Sequence, residues 1–393
     1  MKIVFIEWKS FAKQDIINAL TDLGHTVVTF SHPDYDLRVS SDFTEKFMLC
    51  IEKEHPDAVF SSNYFPLVST VCNKYNIPYI SWVYDCPHLS LYSATVINKC
   101  NHIFLFDSSI RSELFNAGIT TVHYMPLAAP TARLDSMTPD YDIHQKLDCD
   151  ISFVGSLYDE KHNLFDRLSG ISEFAKGYLK AIMDSQLQIS GYSFIEDLLN
   201  EDVLSELRNA APYTPNPDGV ESDKYIYSSF FIERKLTEIE RKKLLKSVSG
   251  HFNLNLYTHN PPDSLPDAHF IGPIDYETTM PYVFKCSKIN LNITLRSIHS
   301  GIPLRAMDIM GAGGFLLSNY QEDFLRHFEP GTDFVYFDGE NDLLSKCEYF
   351  LSHEKERKEI AANGYEKVKA YHSYMIRLKE IFDIVFNSQV PAR

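Results

Sequence analysis

The chain has 393 residues, enough for two domains of about 150 to 200 residues that each bury a core, and its 44% hydrophobic content suits a folded protein. A formal charge of −16 disfavours nucleic acid or anionic lipid as a partner. There is no apolar run of about 18 residues that would suggest a transmembrane helix, and the chain runs from Met1 straight into a strand-like segment without a secretory leader, so a cytoplasmic location is expected. Its seven cysteines are scattered and contain no CxxC pair, pointing to reduced thiols rather than disulfides or structural zinc.

In chain order, "KIVFIE" (2–7), "HTVVTF" (25–30), "DAVFSS" (57–62), "PYISWVYD" (78–85), "HIFLFD" (102–107) and "TTVHYM" (120–125) read as strands. Most carry apolar residues in succession, as in a parallel sheet covered on both faces. Segments such as "AKQDIINALTDLG" (12–24) intervene, with helical spacing and a terminal glycine. His25 and His123 fall within these strands and read as core or boundary histidines. Asp107 directly precedes "SSIRSELF" and reads as a helix cap.

The polar stretch "APTARLDSMTPDYDIHQKLDCD" (129–150) reads as a linker ending near residue 148, which sets a first Rossmann-like domain at 1–147. A second, 148–370, opens with "DISFVGSLYDEKHNLFDRL" (150–168) and carries a mainly helical insertion over about 160–249. Strand signals resume at "FNLNLYTHN", "AHFIGPI", "KINLNIT", "GFLLSN" and "DFVYFD". The charge-rich "IERKLTEIERKKLLK" (232–246) and "HEKERKEIAANGYEKVK" (353–369) read as solvated helix faces, and 371–393 as a terminal helix. The fold class is therefore α/β, with two doubly wound domains and the crevice beyond their strand ends as the expected ligand site.

Two stretches carry the chemistry. In "FVGSLYDE" (153–160), Gly155 and Ser156 form a small turn between strand and helix, open either to a diphosphate or to the reading of an ordinary βα turn. In "SGIPLRAMDIMGAGGFLLSNYQ" (300–321), Pro303 suits the first turn of a helix whose free N–H groups can hold phosphate. Arg305 could add a bidentate phosphate contact and Asp308 could accept ribose hydroxyls. The alternative is an Arg–Asp pair at i, i+3 on a solvated face. "GAGG" (311–314) reads as a helix end and tight turn, not as a dinucleotide fingerprint.

Together, "DISFVGSLYDE", "KINLNITLRSIHSGIPLRAMDIMGAGGFLLSNYQ" and "ANGYEKVKAYHSYMIRLKEI" resemble the CgeB-like glycosyltransferases, named for a spore maturation protein, which carry a "glycosyl transferases group 1"-type C-terminal half. The resemblance implies a GT-B architecture: two Rossmann-like domains facing a cleft, a nucleotide-sugar donor, expected to be of UDP type, held mainly by the second, and a last helix crossing back to the first. By position it implies that Gly155 and Ser156 face the donor diphosphate. Tyr257, Thr258 and the 272–276 loop with Gly272 and Ile274 would border base and ribose. Arg305 with the main chain of His299, Ser300 and Gly301 would hold phosphates, and Asp308 ribose.

The larger group often has a Glu-x7-Glu motif whose second acid falls at Asp308. Ser300 stands at the first, which leaves the sugar and a retaining mechanism open. Such enzymes generally use helix dipoles and basic side chains in place of a metal, so no metal and no cofactor beyond the donor substrate are expected. Asp85 and His88 in "WVYDCPH" (82–88), then Glu7, are the candidate bases, because each lies at or just past the end of a strand; the alternatives are Asp85 as a cap of the next helix and His88 as an ordinary surface residue. The expected activity is sugar transfer to a polysaccharide, glycolipid or protein hydroxyl, as in cell-surface glycan assembly. A nucleotide-sugar epimerase and a non-catalytic nucleotide- or sugar-binding partner are the alternatives.

Overall fold

A computed structural model describes residues 1–159, 163–259 and 263–387. Glu160, Lys161, His162 and Asn260 of the quoted segments, with residues 388–393, lie outside the described residues.

All twelve strand signals become strands. In the first half these are β1 (Lys2–Glu7), β2 (Thr26–Ser31), β3 (Ala58–Ser62), β4 (Tyr79–Val83), β5 (Asn101–Leu105) and β6 (Val122–Tyr124). They form one parallel sheet in the order β2-β1-β3-β4-β5-β6. The second half has β7 (Cys149–Val154), β8 (Leu254–Tyr257), β9 (His269–Phe270), β10 (Ser287–Asn292), β11 (Leu316–Asn319) and β12 (Val335–Phe337). These are also parallel, in the order β12-β11-β10-β7-β8-β9.

Sheet order locates the functional edges. Chain progression reverses between β1 and β3 in one sheet and between β7 and β10 in the other. Ligands in doubly wound sheets bind beyond the carboxyl ends of strands at such reversals.

The strands bury because both faces are covered: β3 and β4 are buried at every position. Phe43, Phe47 and Tyr64 fill one side of the first core, and Leu245, Phe315 and Phe350 contribute to the second. Polar residues within the second sheet satisfy one another. Ser152 Oγ donates to Asn290 Oδ1 over 3.0 Å, and Asn292 Nδ2 to Ser318 Oγ over 2.9 Å.

The division of the chain differs from the sequence reading. The first compact unit comprises Met1–Pro130, Thr214–Glu221 and the chain from Tyr371; the second comprises Thr131–Tyr213 and Ser222–Ala370. The stretch read as a linker to 147 instead forms helices Thr131–Ser136 and Tyr141–Leu147 that belong to the second unit. The reason is local bonding. Asp140 caps the latter helix through the Ile143 N–H at 2.9 Å, Arg133 donates to the Glu277 carbonyl at 2.9 Å, and Asp135 takes Lys369 at 2.9 Å.

Residues 214–221 join the first unit because the Val220 N–H donates to the Tyr92 carbonyl and the Ala94 N–H to the Asp218 carbonyl, each at 2.8 Å. The terminal helix Tyr374–Asn387 also lies in the first unit, against helix Lys13–Asp22, with Phe382 stacked 4.6 Å from His25. His123 stacks 5.0 Å from Phe104 and is half-buried, a structural position.

Candidate active site

At the second unit's reversal point, three chain segments leaving β7, β8 and β10 are fastened together. The Gly155 N–H donates to the Tyr257 carbonyl at 3.0 Å, joining the ends of β7 and β8. Arg241, only 9% exposed, donates from Nη1 to the Ser156 carbonyl at 2.5 Å and from Nε to the Ile293 carbonyl at 3.0 Å. Its guanidinium also lies over the Phe153 and Tyr158 rings, 5.4 and 5.0 Å from their centroids. One buried cation therefore fixes the β7 and β10 exits.

This corrects the reading of 232–246 as a solvated face. Glu233, Leu236, Thr237, Glu238 and Arg241 of helix Glu233–Ser249 are all buried. Thr237 Oγ1 receives the Arg296 N–H at 2.9 Å, and Arg296 grips Glu240 with two bonds of 2.8 and 2.6 Å. The helix is charged because its buried face clamps the β10 loop, and Glu233, Thr237, Glu238 and Arg241 interrupt the apolar stripe of Leu236, Leu244, Leu245 and Val248.

Helix Leu304–Gly311 follows that loop, with Pro303 as its cap residue rather than its first helical one. Pro303 makes no side-chain cap hydrogen bond, and a helix start carries an electrostatic character that suits an anion. Arg305 lies 3.6 Å from Asp308 Oδ2, so the i, i+3 pair is formed. It is not on a solvated face, however: the Asp308 side chain is 5% exposed. Tyr276 Oη donates to Asp308 Oδ1 at 2.9 Å, which brings the 272–276 loop, with Gly272 at φ 98° and half-buried Ile274, to the same place.

"GAGG" does the work of a turn. Gly313 has φ 79°, its N–H bonds the Met310 carbonyl at 2.9 Å, and a Cβ on Gly314 would stand 2.7 Å from both Asn290 Nδ2 and the Phe284 carbonyl. Only glycine fits there.

Other predicted positions separate. Tyr257 is 2% exposed, and burial, with the nearby Cys149 and Cys286 thiols adding, pushes its phenol up to about 12. Its ring therefore belongs to the interior, and its main chain is what reaches the site; Thr258 is likewise buried. Ser300 is buried, donating to Asp323 Oδ2 at 3.2 Å while its carbonyl accepts the Asp323 N–H at 3.0 Å. The place where a first acid is absent in sequence thus has a carboxylate beside it in space. His299 Nε2 lies 3.2 Å from a second acid, Glu233. Neither Asp323 nor Glu233 has a sequence spacing that links it to residue 300.

The reversal point of the first unit has a different character. Asn63, at φ 74°, donates to Asp85 Oδ2 at 2.6 Å and accepts the Tyr84 and Asp85 N–H groups at 2.9 and 3.1 Å. Asp85 is exposed and caps no helix. His88 Nε2 sits against the Tyr64 main chain, 3.2 Å from its nitrogen and 3.0 Å from its oxygen. Burial holds the His88 pKa below the ordinary value, with Arg38 acting the same way against the opposing pull of the Tyr64 carbonyl and Asp85. A neutral imidazole at neutral pH suits a base. Glu7 is paired with Lys13 at 2.5 Å. Asp107 caps helix Ser108–Asn116, accepting from the Ser109 and Ile110 N–H groups at 3.0 and 3.1 Å.

A group with metal-ligand chemistry, His144, Asp148 and Cys286, has its donor atoms within 4.8 Å of one another. It lies at the amino ends of β7 and β10, away from Gly155. No helix among the described residues is long and apolar enough to cross a membrane.

These two parallel, doubly wound units make up a GT-B fold of two Rossmann-like domains. Residues 237–383 match the model of the family described as glycosyl transferase-like, a span covering the Arg241 helix, the β10 loop, Arg305 and Asp308. Among solved structures the chain is similar to a sucrose-phosphate synthase from Thermosynechococcus elongatus, at 11% identity and TM-score 0.56 over 99% of this chain and 100% of that one. It is also similar to a glycosyltransferase from Rickettsia africae, at 11% identity and TM-score 0.53 over 98% and 99% of the two chains. A third is Anabaena Alr3699/HepE in complex with UDP, at 8% identity and TM-score 0.54 over 98% and 100%. No curated protein matches the chain.

Proposed function

We propose that the protein is a metal-independent glycosyltransferase that moves a sugar from a nucleotide donor, of UDP type, to a hydroxyl of a polysaccharide, glycolipid or protein in the cytoplasm. The observation that carries this is the helix Leu304–Gly311: a start without a side-chain cap, Arg305 beside it and a buried Asp308 one turn on, at a sheet reversal and within the glycosyl transferase-like span. The helix start and Arg305 would neutralise the leaving diphosphate, Asp308 with Tyr276 would take ribose hydroxyls, and Gly155 and Ser156 would let the phosphates approach the main chain. Asp85, His88 and Glu7 of the first unit are the bases offered to an acceptor hydroxyl. The complex of Anabaena HepE with UDP supports the choice of nucleotide.

The test is a thermal-shift screen of nucleotides and nucleotide sugars, since a ligand of the native state raises its stability. Release of free nucleoside diphosphate is then followed with and without acceptor. Nucleotide binding should weaken about tenfold or more in Arg305→Ala and Asp308→Ala, the loss of a charged hydrogen bond. Diphosphate should appear only with acceptor, and EDTA should leave turnover unchanged. Unaltered nucleotide affinity in both variants would place the donor elsewhere.

A further inference from the structure

The helix Tyr141–Leu147 buries none of its seven residues. Ile143 and Leu147, its apolar members besides the exposed Tyr141, are only half-buried. Among the described residues, the side-chain hydrogen bonds of 141–148 stay within the segment: Gln145 Nε2 donates to Tyr141 Oη at 2.6 Å, and His144 Nδ1 lies 2.7 Å from Asp148 Oδ1. A helix this short is marginal in isolation and owes its order to what it packs against. It lies against helix Met280–Cys286, whose last residue, Cys286, is buried.

That contact brings an imidazole, a carboxylate and a thiol together. The ligand atoms of His144, Asp148 and Cys286 all lie within 4.8 Å of one another. Asp148 directly precedes β7 and Cys286 directly precedes β10, and the first residues of these two strands, Cys149 and Ser287, pair in register. The group thus stands where two neighbouring strands of the second sheet begin. An exposed His–Asp pair at i, i+4 contributes little by itself. Both its members also belong to one short segment, so the pair alone fastens that segment to nothing. Cys286 is the member that comes from another element.

The donor set selects the ion. A thiolate sets aside the oxygen-seeking Mg²⁺ and Ca²⁺, whereas nitrogen, oxygen and sulfur together suit Zn²⁺. Zinc bonds of about 2.0–2.3 Å put neighbouring ligand atoms roughly 3.3–3.6 Å apart in a tetrahedron, so the group has to close by about 1 Å. His144 and Asp148, with side chains 46% and 61% exposed, can make that movement without disturbing a core.

We infer that His144, Asp148 and Cys286 bind one Zn²⁺, with water as the fourth ligand, and that the ion clasps segment 141–148 to the start of β10. Binding breaks the Cys286 S–H bond and the His144–Asp148 hydrogen bond, and the thiol proton passes to solvent. Gly155 follows the opposite end of β7, about 20 Å along the strand, so the ion takes no part in sugar transfer and the inference stands apart from the donor reading. The scattered cysteines gave no sign of it, because two ligands precede β7 and the third comes from the distant segment before β10.

The test uses the full chain without an affinity tag, freed of metal by a chelator under reducing conditions. It is titrated with Zn²⁺ against a chromophoric competitor, and with Co²⁺ for absorption spectroscopy, as wild type, His144→Ala, Asp148→Ala and Cys286→Ser. Wild type should bind one Zn²⁺ per chain, gain thermal stability with it, and show a thiolate-to-cobalt charge-transfer band that Cys286→Ser lacks. His144→Ala and Asp148→Ala change exposed positions and should fold. Each should weaken Zn²⁺ by at least about 100-fold, the upper end of what even an outer partner of a ligand is worth, and lose the zinc-dependent stabilisation. UDP affinity should be the same with and without Zn²⁺. Absence of stoichiometric binding by wild type overturns the inference. Undiminished binding in His144→Ala and Asp148→Ala would mean an adventitious ion only, and overturns it too. A cobalt spectrum without the thiolate band would remove Cys286 from the site, with the same consequence. A UDP affinity that follows Zn²⁺ would overturn the purely structural role.

Discussion

The two reversal points are built on the same strand order but are finished differently. In the first unit the strand ends are closed by partners within that unit: Glu7 with Lys13, Asp85 with Asn63, His88 with the Tyr64 main chain, and Asp107 with its own helix. In the second unit the loops are held from behind by helix Glu233–Ser249, whose buried Arg241 takes the Ile293 carbonyl and whose Glu240 takes Arg296 of the β10 loop, and at the start of helix Leu304–Gly311 Pro303 gives no side-chain cap. The difference teaches where binding capacity sits. A strand end whose polar groups are matched locally has little left for a ligand beyond exposed side chains, while one braced from behind keeps its front groups for chemistry.

The strongest way to break that contrast is Arg241→Ala. It would strip donors from the Ser156 and Ile293 carbonyls together and leave a void among Phe153 and Tyr158. Bare buried acceptors and lost packing should cost about 3 kcal/mol in denaturant unfolding, and nucleotide affinity should fall as the β7 and β10 exits separate. A variant of wild-type stability and affinity would mean that the brace is incidental.

Acid separates the units next. His25, His88, His102 and His123, all in the first unit, have their pKa values lowered, with burial the leading cause in each, and His123 falls to about 4. A histidine with a depressed folded pKa resists protonation that the unfolded chain accepts. Stability is therefore full above about 6.5, the unfolded value, and declines as pH falls toward the folded pKa. The first unit should thus loosen between roughly pH 6.5 and 4, before most carboxylates titrate. Both tryptophans, Trp8 and Trp82, lie in that unit, so their fluorescence reports on it alone. The fluorescence transition should precede the loss of far-ultraviolet circular dichroism, and His123→Gln should move it to lower pH. Coincident transitions in all probes would contradict this.

The contrast also explains what could be read in the residues. Apolar runs of strand length report burial on both faces, so "KIVFIE" and "FLLSN" were legible without a partner in view, and "GAGG" was legible because its turn is local. The boundary near 147 was not, since Asp140, Arg133 and Asp135 look like linker polarity until Ile143, Glu277 and Lys369 are placed beside them. Arg241 and Glu233 were masked in the same way: a helix that buries charge against main-chain carbonyls has the composition of a solvated one. Asp323 comes to Ser300 only because β11 returns beside β10, and no spacing along the chain encodes that.

The smallest expected effect is the cleanest control on the comparison. Asp107 and Pro303 each begin a helix that follows a strand exit, one with a carboxylate satisfying two N–H groups and the other with no side-chain cap. Asp107→Ala should cost about 1 kcal/mol, the usual worth of such a cap. Asp107→Asn should cost less, because an amide oxygen can still accept from Ser109 and Ile110. Neither substitution should alter nucleotide affinity measured by titration, since the helix it loosens belongs to the first unit. If Asp107→Ala weakened nucleotide binding as much as Arg305→Ala, the division between a locally closed edge and a ligand-bearing one would be wrong, because a cap would then be acting as part of the donor site.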